Sequence, residues 1–88
     1  MNKKEYKSTF HSAGTGAYLM GVKTTEDATV VLYDNGSDMR KFKIESDVNV
    51  EILEALIVSS IDYPDRLRLF FSALKERKIS FEEIDPYR

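Results

Sequence analysis

The 88-residue chain predicts an α+β domain, a three-stranded antiparallel meander followed by two helices packed on one face (βββαα), with room for an extra N-terminal strand. Three observations predict it. Strand-like runs flank Asp34-Asn35-Gly36-Ser37, and Asn-Gly supplies the positive φ angles that a tight hairpin requires. The segment from Asp47 to Ile61 is the most apolar part of the chain and spaces its apolar residues as a helix does. The strand connections are too short for parallel crossovers, which need about a dozen residues.

In chain order, residues 1–16 form a polar N-terminal segment. Within it Tyr6, Ser8 and Phe10 alternate as a short strand would, and Ser12-Ala13-Gly14-Thr15-Gly16 has the composition of a loop. Residues 17–23 read as a strand with Tyr18, Met20 and Val22 on one side and Leu19 on the other. Gly21 there suggests a bulge or a close backbone contact. Residues 28–33 are β-branched and aromatic on both sides, which suits a central strand. Residues 38–45 alternate Phe42 and Ile44 with Lys41, Lys43 and Glu45, giving one buried and one wet face. If Val30, Leu32, Phe42 and Ile44 lie under the helices, then Val31, Tyr33, Lys41 and Lys43 line the outer face, with Leu19 beside them.

The first helix places Val50, Ile52, Leu53, Leu56, Ile57 and Ile61 within about half of its circumference, a wide core-facing stripe. Asp47 or Asn49 suits its N-cap, and Val58 stands out as an apolar residue among Glu51, Glu54 and Asp62. Asp62-Tyr63-Pro64-Asp65 stops this helix and starts a second, from about Pro64 to Lys78. Its stripe is Tyr63, Leu67, Phe70, Phe71 and Leu74, flanked by Arg66, Arg68, Lys75 and Arg77, while Leu69 lies off the stripe. Residues 79–88 form a docked C-terminal tail. Ser80 and Glu83 have capping-box spacing for one more helical turn, Pro86 ends it, and Phe81, Ile84 and Tyr87 supply the docking side chains.

The length fits a single domain over residues 1–88, with a narrow stability margin that oligomerisation would widen. With 42% apolar and 32% charged residues the chain is globular. A net charge of −2 and a pI near 5.4 give no overall attraction to nucleic acid or anionic lipid. There is no cysteine, which excludes disulfides, thiol nucleophiles and thiolate metal sites, and fits a reducing cytoplasm. The basic start, Met1 to Lys7, is not followed by an apolar run, so it reads as no signal peptide. The longest apolar run, Ala55 to Val58, is far short of the ~20 residues a membrane helix needs. The expectation is a soluble cytoplasmic protein.

Motifs that carry chemistry are sparse. His11 sits among Ser8, Thr9, Ser12 and Thr15, but no spacing announces the orienting carboxylate or oxyanion hole that a hydroxyl nucleophile needs. Gly14-Thr15-Gly16 lacks the rest of either nucleotide-binding fingerprint. Asp34, Asn35, Ser37 and Asp38 read as a hairpin turn before they read as a calcium loop. The pairs Glu26-Asp27 and Glu82-Glu83 are adjacent and so are not set to converge on a substrate. No catalytic residue, metal or cofactor is expected.

Surfaces remain. The reading is a non-enzymatic interaction module that binds and regulates or inhibits a macromolecule, a protein first, through Tyr33, Lys41 and Lys43 and then Val58 and Leu69, with self-association open to it. Stand-alone domains of this size often serve as inhibitors, immunity-type factors or accessory regulators, phage and mobile-element proteins included. The alternative is a small nucleic-acid-binding regulator using Arg40 on the last strand with Arg66, Arg68, Lys75 and Arg77 on the second helix. The helix pair lacks the glycine turn of a helix-turn-helix, and lysines on an edge strand also serve to prevent sheet-to-sheet pairing.

Overall fold

A computed structural model of the chain describes residues 8–12 and 18–87. Alternating residues and two short turns make the strands β1 (Ser8–Ser12), β2 (Leu19–Thr24), β3 (Thr29–Asp34) and β4 (Met39–Ile44). The helices α1 (Val50–Ser60) and α2 (Arg66–Glu76) follow, and then a last strand β5 (Phe81–Ile84). All five strands are antiparallel, in the order β1-β2-β3-β4-β5. The α+β class therefore holds, with five strands where the sequence predicts three and allows a fourth.

Both hairpins of the meander use one device. Thr25 Oγ1 accepts the N–H groups of Asp27 and Ala28, and Asn35 Oδ1 accepts those of Ser37 and Asp38. A side chain thus takes the place of a backbone acceptor at each tip. The positive φ of the second turn falls on Gly36 alone, at 95°, and Asn35 N–H donates to the Asp38 carbonyl at 3.1 Å, so Gly36-Ser37 form its tip. Asn35 acts through its side chain instead.

The extra strand at the C-terminal end corrects the expected helical turn at Ser80. Helix α2 ends with Lys78 in the left-handed region at φ 57°, Ile79 N–H on the Leu74 carbonyl at 2.9 Å and Lys78 N–H on the Lys75 carbonyl at 3.0 Å. That is a Schellman closure, completed by the apolar pair Leu74 and Ile79, both buried. It turns the chain back to β4. Ser80 then donates its N–H to Ser46 Oγ, and its carbonyl accepts the Glu45 N–H, both at 2.8 Å. With both backbone groups engaged there, the tail runs extended along β4, and Lys43 stands opposite Glu82.

One face of the sheet holds the core. Met20 and Val22, Val31 and Tyr33, Phe42 and Ile44 form a single buried cluster with Leu53, Leu56, Ile57 and Ile61 around α1 and Phe70 and Leu74 of α2. Both helices therefore cover the same face. Phe71 meets Phe42 edge-on at 5.1 Å and stacks on Phe81 at 5.0 Å, which holds α2 over the β4–β5 side. Helix α1 starts at Val50, with Asn49 as its N-cap. The Asn49 side chain makes no capping bond, and its carbonyl accepts the N–H groups of Ile52 and Leu53. Tyr63, expected on the apolar stripe of the second helix, and Tyr87, expected to dock, are both exposed. None of the described helices is long and apolar enough to cross a membrane.

Candidate interaction surface

Strand pairing decides which residues share a face, and it reverses part of the expected assignment. Val31 pairs with Phe42 and Tyr33 with Arg40, whereas Val30 pairs with Lys43 and Leu32 with Lys41. Val31 and Tyr33 therefore lie under the helices, while Val30 and Leu32 lie outside with the lysines. Tyr33 is 6% exposed, its ring parallel to that of Tyr18 at 6.3 Å. Its side chain belongs to the core and not to the outer surface. The turn dictates this phase: any two-residue tip pairs odd-numbered residues of β3 with even-numbered residues of β4, which puts Phe42 on the face of Val31 and Tyr33.

The outer face runs from β1 to β5 as Phe10, Gly21, Leu32, Lys41 and Ile84 in one row. Leu19, Asp34 and Met39 make the next row toward one end, and Lys23, Val30, Lys43 and Glu82 the row toward the other. Phe10 lies across Gly21. A Cβ at position 21 would overlap both the Phe10 ring and the Thr9 carbonyl oxygen, the close contact that a glycine within a strand suggests. Beside it a depression of about 250 Å³ is lined by Phe10, Leu19, Leu32 and Met39, with Tyr33 and Asp34 at its wall. Phe10 is 46% and Leu19 43% exposed, and no described helix covers them.

The other residues singled out by sequence are scattered. Val58 is 54% exposed on the solvent side of α1, and Leu69 is half-buried on α2. Neither joins the outer sheet face. Of the five cations in the nucleic-acid alternative, three are held within the chain. Arg66 is only 9% exposed, donates from Nε to the Ile61 carbonyl at 2.7 Å, and lies 3.7 Å above the ring of Tyr18, the residue before β2, so it is a strut between the start of α2 and Tyr18. Arg68 is paired with Asp65. Arg40 makes a two-pronged bond to Glu83, at 2.9 and 2.8 Å, which holds the Glu83 carboxyl below its ordinary range and the guanidinium above its own. Lys75 and Arg77 are exposed at the far end of α2 from Arg66. They suit the helix dipole there.

His11 lies on the helix-covered side of β1, opposite Met20, so Ser8 and Ser12 point away from it by strand alternation. Its Nε2 is buried with no hydrogen-bond partner among the described residues. Thr15 and the Gly14-Thr15-Gly16 run, like Tyr6 and the basic start of the chain, fall outside the described residues. Among those described, no three His, Asp or Glu side chains gather as metal ligands would. Compared with protein-family models, curated proteins and solved structures, the chain gives no match.

Proposed function

We propose that this protein is a non-enzymatic interaction module that binds and regulates or inhibits a protein partner through the outer face of its sheet. One observation carries the reading. An apolar depression formed by Phe10, Leu19, Leu32 and Met39 lies on a sheet face that no described helix covers, with lysines beside it. Apolar side chains that are open to water and gathered around a concavity gain free energy when a partner removes them from it. In this reading Lys41 and Lys43 stand beside an apolar part made of Leu19, Leu32 and Phe10, which takes the place of Tyr33. The nucleic-acid alternative is less well supported, since Arg40, Arg66 and Arg68 already have partners inside the chain.

The test is capture from native lysate on immobilised protein, after nuclease and a high-salt wash. Wild type is compared with a Leu19→Ser, Leu32→Ser variant whose thermal melt stays within a few degrees of wild type. The expected result is a reproducible protein partner whose recovery falls at least about tenfold with the variant. Equal recovery by both would rule the outer face out.

A further inference from the structure

The tip between β3 and β4 joins a reactive pair of residues to an arrangement that restrains it. In Asn35-Gly36 the main-chain nitrogen of the second residue can attack the side-chain carboxamide of the first, since glycine brings no Cβ to hinder approach or to limit the backbone. Asn2 and Asn49 precede lysine and valine instead. Residues 35–38 are exposed, so water reaches them freely. Both groups that must meet are nevertheless engaged elsewhere. Gly36 donates its N–H to Asp34 Oδ1 at 2.8 Å, and a carboxylate in that position favours the protonated nitrogen, which is not a nucleophile. Asn35 Oδ1 accepts the N–H groups of Ser37 and Asp38 at 3.0 and 2.7 Å and the Ser37 hydroxyl at 3.2 Å. The Asn35 N–H is itself tied to the Asp38 carbonyl. Turning the carboxamide carbon onto the Gly36 nitrogen means giving up these bonds.

We propose that Asn35 is a site of spontaneous self-modification that the folded hairpin holds in check, with Asp34 as the restraining residue. When the tip opens, the Gly36 nitrogen attacks Asn35 Cγ. A bond forms between them, the Cγ–Nδ2 bond breaks, and the amide nitrogen leaves as ammonia with the proton from Gly36. Water then opens the cyclic imide, at one carbonyl to an aspartyl residue and at the other to an isoaspartyl linkage. Either product sets a new carboxylate between Asp34 and Asp38. The isoaspartyl product also adds a methylene carbon to the main chain of the turn, which disturbs the pairing of Asp34 with Met39, two residues that line the outer depression. The rate is that of the open tip multiplied by the fraction open, so modification at position 35 records local opening of the hairpin.

The experiment incubates the full chain at mildly alkaline pH, native or in guanidinium chloride, and follows the peptide that carries position 35 by mass spectrometry with its aspartyl and isoaspartyl forms separated. Conversion is expected to be at least about tenfold slower in the native chain. Asp34→Ala, with a melting temperature within a few degrees of wild type, is expected to remove most of that protection and to speed hydrogen exchange at the Gly36 amide. Asp34→Asn keeps an Oδ1 acceptor and should retain most of it. Equal native and denatured rates would overturn the restraint. A faster native rate would overturn it in the opposite sense, with the Ser37 and Asp38 N–H groups activating the carboxamide. Full protection in folded Asp34→Ala would overturn the role of Asp34. The native and denatured comparison uses wild type alone, so it decides the restraint even where Asp34→Ala fails to fold.

Discussion

The two faces of this sheet are built from the same strands, residue by residue in alternation, and yet they have opposite physical roles. Under the helices, Phe42 is 1% exposed and touches two other aromatic rings. On the outside, Leu32, one strand away and one position out of phase, lines an open depression. An apolar side chain is therefore no guide to its own role in a strand. Its phase relative to the neighbouring strand assigns that role, because a one-residue shift moves every side chain across the sheet.

That comparison can be broken by substitution. Phe42→Ala is expected to lower stability by about 3–5 kcal/mol, whereas Leu32→Ala costs under about 1 kcal/mol, both read by chemical denaturation. Tyr33→Ala belongs with Phe42, since its ring is buried against Tyr18. Similar losses for Phe42→Ala and Leu32→Ala would mean that both faces are covered.

A middle-sized effect is expected where β1 lies against the outer face. Gly21→Ala should cost about 1–3 kcal/mol, because the new methyl group meets the Thr9 backbone as well as the Phe10 ring. Phe10→Ala in the same chain relieves only the ring, so most of the loss should remain and backbone amides of β1 should exchange faster. Full rescue by Phe10→Ala would show that the backbone contact is unimportant.

The smallest effect lies where the helix-side face reaches solvent at Arg40 and Glu83. The bond from Arg40 lowers the folded-state pKa of Glu83 below its ordinary 4.5. Its stabilisation is therefore present above that ordinary value and is lost as pH falls through the folded-state value. With side chains 39% and 48% exposed, the pair is worth less than about 1 kcal/mol. Glu83→Gln should lower the melting temperature slightly at neutral pH and leave it unchanged in acid. A difference that grows in acid would contradict this.

Much of the fold was legible because it is local. The period of residues 38–45, the Asn-Gly turn and the wide stripe of α1 follow from backbone sterics and from burial of one face, and these appear in the structure within a few residues of their expected bounds. Lys41 and Lys43 were also legible as outward-facing, since they alternate with Phe42 and Ile44. Phe10, Leu19 and Leu32 were not recognised as one surface, because they come from three strands and meet only through pairing.

The sequence by itself determined the periodicities, the turns and the α+β class, since each depends on residues close along the chain. Only the tertiary structure decided which face of β3 is buried, that Arg66 is a strut on Tyr18 and not a free cation, and that the residues after Ser80 form a fifth strand. The physical reason is shared by all three. A strand that is apolar on both sides, an arginine on a helix flank and a capping-box pattern each satisfy local rules in more than one way, and only partners distant in sequence select among them.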